Sequence, residues 1–276
     1  MQMTLDSLRS TVTLNNGVEM PVLGLGTWKL DDGSEAVSSV RDALEVGYRH
    51  LDTATAYKNE ESVGRAVREF GDRDEVFITT KLWNEDHERV AEAFDESRQR
   101  LGVDVIDLYL IHWPLGMDFM PTWKAMEKLH SDGKVRAIGL SNFMEPHLRT
   151  LLDGAEVKPA VDQVEMHPWL VQKPLHEYLR QQQIVSEAWS PLMQGRFDEA
   201  PELAEIGEAH GKHPAQVLIR WGLQHGAVMI PKSSSRSHIE ANADVFDFQL
   251  SDDEMARLDG LDKHERLGPD PMKFGA

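Results

Sequence analysis

From residue 23 onward the chain repeats one rhythm. A short apolar run, rich in β-branched residues, is followed by a longer stretch whose apolar positions recur every three or four. The runs are "LGLGTW" (23–28), "YRHLD" (48–52), "VFITTKL" (76–82), "VIDLYLIHW" (105–113), "VRAIGLSN" (135–142), "PAVDQVEMH" (159–167), "IVSEAWS" (184–190) and "AVMIPKS" (227–233). Between them, "SEAVSSVRDALEVG" (34–47) brings Ala36, Val37, Val40 and Leu44 to one side. "ERVAEAFDESRQRLG" (88–102) and "ELAEIGEAHGKHPAQVLIRWGLQHG" (202–226) share that spacing, which predicts helices. Continuous apolar strands joined by helical crossovers predict a parallel sheet covered by helices. Eight such units in 276 residues fit an α/β fold of the (β/α)8 barrel type better than an open doubly wound sheet. Ahead of them, "TVTLNNGVEMPVL" (11–23) alternates around Asn16-Gly17, a hairpin signal. The hairpin is expected to close the N-terminal face of the barrel. No Gly-Ser-Pro-rich linker interrupts the pattern, so residues 1–276 are read as a single domain.

Composition narrows the classes. With no cysteine, disulfides, thiolate nucleophiles and thiolate metal sites are excluded. "MQMTLDSLRS" (1–10) has no apolar core of a signal peptide, and no apolar run approaches the ~20 residues that span a bilayer. A cytoplasmic protein without a membrane partner is expected. The net charge of -18, from 47 acids against 29 bases, argues against a nucleic-acid surface. Such a surface is either an ordinary solvated one or an adaptation to high salt. An anionic ligand would then need a local cluster of cations.

The polar residues fall at one place in the repeat. Asp52, Lys81, His112, Ser141 with Asn142, Gln163, Trp189 and Lys232 stand at or next to the ends of the apolar runs. In a barrel those ends form the active-site face. One such residue can be explained by a strand turning to solvent, and an isolated Asp52–Tyr57 pair by a capped turn. Seven convergent strand ends point to a shared site. Lys81, on the strand beside Asp52, can lie between Asp52 and Tyr57, and an ammonium beside a phenol is expected to lower its pKa. Tyr57 is then a candidate general acid, with His112 able to reach the same oxygen. A carbonyl there would be polarised by two donors, but an electron source is missing, so a cofactor must supply it. "HWP" (112–114) and "EMHPW" (165–169) are too sparse for zinc, and no metal is expected. No GxGxxG follows a strand, which excludes a Rossmann site. Ser141, Asn142 and Gln163 suit a carboxamide, Trp189 a flat ring, and "IPKSSSRS" (230–237) phosphates.

The motifs "GYRHLDTATAYKNEESVG" (47–64), "DLYLIHWP" (107–114), "IGLSNF" (138–143), "DQVEMHP" (162–168) and "IPKSSS" (230–235) resemble those of the aldo-keto reductase family, from about residue 11 to the C-terminus. The resemblance implies a monomeric NADPH-dependent reductase of aldehydes and ketones, with NADH a weaker alternative. It implies Asp52, Tyr57, Lys81 and His112 as a catalytic tetrad, with Tyr57 protonating the carbonyl oxygen as hydride arrives from the nicotinamide. Ser141, Asn142 and Gln163 would hold the carboxamide, and Trp189 would stack on the ring. Ser190, Leu192 and Gln194 would line the pyrophosphate path. Lys232, Ser233 and Ser234 would face the 2′-phosphate, and Asn242 the adenine. The chain is most similar to the short bacterial branch of 2,5-diketo-gluconate and methylglyoxal reductases. That implies small dicarbonyls, keto-sugars or simple aldehydes as substrates. Trp28, Trp83 and Trp113 would wall the substrate pocket. It is expected to be open, because the connection at 114–121 and the tail after "LDGLD" (258–262) are short. Two positions depart from the family: His238 stands where arginine is usual, and "EAN" (240–242) puts Ala241 where a carboxylate faces adenine. A non-catalytic cofactor-sensing subunit would show a long N-terminal segment or a broken tetrad. A metal-dependent barrel hydrolase would show clustered ligands at the strand ends.

Overall fold

Strand β6 (Ile106–Ile111) reads IDLYLI, and all its residues are buried, as are all those of β5 (Phe77–Leu82). Such strands are satisfied only in the interior of a parallel sheet covered on both faces. The computed structural model describes residues 3–274 and supplies that setting. β1 (Thr11–Thr13) and β2 (Glu19–Pro21) form the antiparallel hairpin. β3 (Leu25–Gly26), β4 (His50–Asp52), β5, β6, β7 (Val135–Ser141), β8 (Val161–Glu165), β9 (Val185–Trp189) and β10 (Val228–Met229) follow, each parallel to its neighbour in chain order. The sheet closes on itself. Leu23 bridges Met229 and Gly26 bridges Lys232, both in parallel, with Gly24 N donating to Met229 O (2.9 Å) and Gly26 N to Pro231 O (3.1 Å).

Helices α1 (Ser34–Val46), α2 (Glu60–Phe70), α3 (Val90–Leu101), α4 (Met120–Ser131), α5 (Glu145–Gly154) and α6 (Lys173–Gln181) make successive crossovers. The stretch expected as one helix over 202–226 is two, α7 (Pro201–His210) and α8 (Pro214–Gln224). Gly211, at φ 65°, ends the first and Pro214 opens the second, the usual asymmetry of glycine after and proline inside a helix start. α9 (Arg236–Ala243) and α10 (Asp252–Asp259) complete the chain. No described helix is long and apolar enough to cross a membrane.

The hairpin lies at the N-terminal end of the barrel. Asn15 Nδ2 donates to Pro159 O (2.8 Å) and Gln183 O (3.2 Å), and Asn16 Nδ2 to Arg136 O (3.0 Å). These carbonyls sit where β7, β8 and β9 begin, while Val12, Leu14 and Met20 are buried beneath. At the seam the backbones of β3 and of the segment after β10 come close together. A Cβ on Gly26 would stand 2.6 Å from Ile230 O, so the backbones approach as only glycine permits.

Gly26→Ala should therefore force the seam apart, at a cost of about 1–3 kcal/mol typical of overpacking. The urea midpoint of unfolding should fall, with the slope unchanged. An unaltered midpoint would show that the seam tolerates the extra atom.

Candidate active site

β4 and β5 are neighbours in register, with Asp52 opposite Thr79. Along β5 side chains alternate, so Thr80 faces outward and donates to Glu60 (2.6 Å), while Lys81 enters the barrel. Its ammonium donates to both Asp52 oxygens (2.7 and 2.8 Å), to Thr53 O (2.9 Å) and, more loosely, to Tyr57 Oη (3.4 Å). Tyr57 reaches it from a 3₁₀ turn (Thr55–Tyr57) that stops at Lys58 in the left-handed region. His112 follows β6, its N–H held by Leu82 O at 3.2 Å. Its ring meets Tyr57 edge-on at 5.7 Å and Trp83 at 5.2 Å.

Lys81 has no exposed surface and Asp52 almost none. Burial would strip charge from the lysine, but Asp52 and then Tyr57 more than restore it, so its pKa lies above the ordinary value. Burial raises the Asp52 pKa, with Lys81 opposing. Tyr57 departs from the sequence expectation. Burial raises its pKa, and Lys81 pulling down, opposed by Asp52, does not cancel that. The phenol thus keeps its proton throughout the neutral range. Burial, then the Lys81 charge, pushes His112 well below ordinary histidine, so its imidazole is neutral.

Trp189, Asn142, Ser141 and Gln163 form one hydrogen-bonded chain. Trp189 Nε1 donates to Asn142 Oδ1 (2.9 Å); Asn142 Nδ2 donates to Ser141 Oγ (3.1 Å) and His112 O (3.0 Å); Ser141 Oγ donates to Gln163 O (3.0 Å). Asn142 and Ser190 both adopt left-handed backbone, at φ 66° and 51°, conformations that concentrate at functional sites. Gln163 turns its amide nitrogen into the barrel, 2.8 Å from Asp52 Oδ2 and 2.8 Å from Glu187 Oε2. Sequence reasoning missed Glu187. The only signal was a carboxylate inside the otherwise apolar run "IVSEAWS".

The residues expected to hold a dinucleotide are placed as follows. The Trp189 ring is half-buried, and the loop after it carries Ser190, Leu192 and Gln194, with Gln194 Nε2 reaching Leu267 O (3.4 Å). Lys232 is exposed and makes no ion pair among the described residues, whereas Arg236 is committed to Glu45, Asp42 and Glu240. Ser233 is buried, Ser234 and His238 are exposed near the start of α9, and Asn242 is buried within that helix. Half-buried stacking surface, free cation and exposed hydroxyl therefore fit a phosphorylated, ring-bearing group. Trp28 is 44% exposed and Trp83 half-buried beside His112, while Trp113 is buried. The short tail covers more than its length suggests. Lys263 N and Glu265 N donate to Trp169 O, Leu267 N donates to Glu165 (2.6 Å), and the Phe274 ring meets Trp113 tilted by 34° at 4.2 Å.

Comparison with known proteins agrees with this geometry. Residues 22–263 match the model of the "Aldo/keto reductase family". A glyoxal reductase of Bacillus subtilis (strain 168) is 54% identical over 268 residues, covering 96% of this chain and 97% of that protein. A methylglyoxal reductase, DkgA, of Escherichia coli (strain K12) is 45% identical over 272 residues, 96% of this chain and 98% of its own. The structure of a Bombyx mori aldo-keto reductase in complex with NADP superposes with a TM-score of 0.89 at 34% identity, over 94% of each chain. The chain belongs to the aldo/keto reductase family.

Proposed function

We propose that this chain reduces small aldehydes and 2-oxoaldehydes to alcohols with NADPH. The observation that carries the reading is the buried Lys81, which grips Asp52 and reaches Tyr57 Oη at 3.4 Å. The relatives named for glyoxal and methylglyoxal support this substrate class. Bound NADPH supplies the hydride. Gln163, Asn142 and Ser141 would hold its carboxamide and Trp189 its ring, Ser190, Leu192 and Gln194 its pyrophosphate, Lys232, Ser233, Ser234 and His238 its 2′-phosphate, and Asn242 its adenine. NADH, without that phosphate, is the weaker alternative. The protein acts as a cytoplasmic monomer in this reading.

The chain's own chemistry is a proton delivered at Oη. Tyr57 stays protonated because burial outweighs Lys81, so the proton is in place whenever substrate arrives. As negative charge develops on the carbonyl oxygen, Oη gives up its proton, and the neighbouring ammonium stabilises the phenolate that forms. Asp52 keeps that buried ammonium charged. His112, neutral, can donate an N–H to the same oxygen without adding charge. Trp28, Trp83 and Trp113 would present apolar walls to the substrate.

Tyr57→Phe should lower kcat by about 10²–10⁴-fold, the usual worth of a general acid, while NADPH affinity stays near wild type. Retention of activity within a few-fold would remove Tyr57 from the reaction. Lys81→Met should be as damaging to turnover. It should also destabilise the fold by about 3–5 kcal/mol, because one member of a buried pair is left alone; urea unfolding measures this. At the adenosine end, an imidazole is a cation only when protonated, whereas arginine offers a permanent planar fork. His238→Arg should tighten NADPH by up to about tenfold, in line with one charge-assisted bond at an exposed position. NADH affinity should stay unchanged. A fluorescence titration in which both cofactors tighten equally would show that residue 238 does not face the phosphate.

A further inference from the structure

Behind the tetrad, in the interior of the barrel, sits a second carboxyl that the reaction as described does not use. Glu187 on β9 has no exposed surface. Its Oε2 accepts from Gln163 Nε2 at 2.8 Å, and that same nitrogen donates to Asp52 Oδ2 at 2.8 Å. One amide thus lies between two carboxyl groups. Asp52 is paired with Lys81 and can only accept, so it is the nitrogen of Gln163 that must point inward. The amide oxygen is left facing away from the network with no protein donor among the described residues. Glu187 Oε1 has no hydrogen-bond partner, and the nearest group is Nε2 of His50 at 3.6 Å. His50 in turn meets Thr79 Oγ1 at 3.1 Å.

We propose that Glu187 is a positioning residue for the cofactor: its uncharged carboxyl anchors the Gln163 amide nitrogen, so that the amide oxygen is presented to the carboxamide of the nicotinamide. This rests on the reading of the site as one for NADPH. Two acceptors converging on one amide would be costly if both were ionised in the buried interior. Burial first, and Asp52 second, push the Glu187 carboxyl up to about 8, so near neutrality it carries its proton. His50, buried and beside Lys81, is held down to about 3. The interior then balances, with one cation on Lys81, one anion on Asp52, and Glu187 and His50 both neutral. The titratable groups facing Glu187 are His50 and Asp52 from β4, Lys81 from β5 and Tyr57 from the turn. β8 contributes the amide of Gln163, and β10 sets Val228 opposite Glu187. Lys81 and Tyr57 are both shifted upward and His50 downward, so of these groups it is the Glu187–Asp52 pair that releases a proton as pH rises above neutrality. The folded pKa of Glu187 lies above the ordinary carboxyl value of 4.5. The stability tied to its proton is therefore complete below that value and is lost as pH rises through about 8.

Two substitutions separate anchoring from mere packing. Glu187→Gln keeps an acceptor and stays neutral at every pH; Glu187→Leu keeps bulk and removes the acceptor. NADPH binding, followed by tryptophan fluorescence at pH 7, should be within about twofold of wild type for Gln. It should be weaker by about 3–10-fold for Leu, the worth of a neutral hydrogen bond. Urea unfolding of the cofactor-free chain between pH 6 and 9 should show wild type losing stability relative to the Gln variant as pH rises. Equal NADPH affinity in the Leu variant and wild type would overturn the anchoring role. Parallel stability profiles for wild type and Gln would overturn the uncharged carboxyl, and this arm decides the matter even if the Leu chain does not fold. Failure of wild type itself to bind NADPH would sink the cofactor assignment, and the stability profiles would still report on Glu187.

Discussion

A lysine ammonium with no exposed surface must find its partners inside the protein, and the Asp52–Lys81 pair is where this barrel meets that demand. Moving two ions out of water costs several kcal/mol each, and their attraction compensates only when geometry is good and the remaining donors are used. Here the ammonium has both carboxylate oxygens and the Thr53 carbonyl, and only then Tyr57. The order matters. A lysine so well satisfied keeps its charge, leaving Tyr57 beside a fixed cation that it does not have to hold in place.

That pair is also the junction between two halves of the site. On one side are the phenol and the neutral imidazole. On the other, Gln163 carries the network from Asp52 to Glu187, while Ser141, Asn142 and Trp189 continue it around the strand ends. A polar network of this kind inside a barrel is tolerated because almost every member is satisfied. Among its exceptions, His50 Nδ1, His112 Nδ1 and Glu187 Oε1 are buried without partners. The tail adds a wall from outside, with its own backbone amides held by the buried Glu165.

Much of this was legible in the residues. Eight apolar runs alternating with helical spacing could bury themselves only as a covered parallel sheet, and the polar residue closing each run announced which face would be functional. The break between α7 and α8 was written in Gly211 and Pro214, although the apolar spacing ran straight through them. The path of residues 263–274 was not legible, because Phe274 meets Trp113 and Leu267 meets Glu165 through contacts far apart in the chain.

The sequence by itself determined the repeat, the strand-end residues and their chemical types, because these depend on local periodicity and on which side chain follows which. Tertiary structure alone decided the protonation states. The sequence placed a lysine beside a tyrosine, and charge attraction by itself lowers a phenol's pKa. Burial in the closed barrel raises it by more. The same enclosure turned Glu187, a single acid in an apolar strand, into a partner of Gln163 across the sheet. Desolvation depends on everything that surrounds a group, and that is settled only when distant strands close around it.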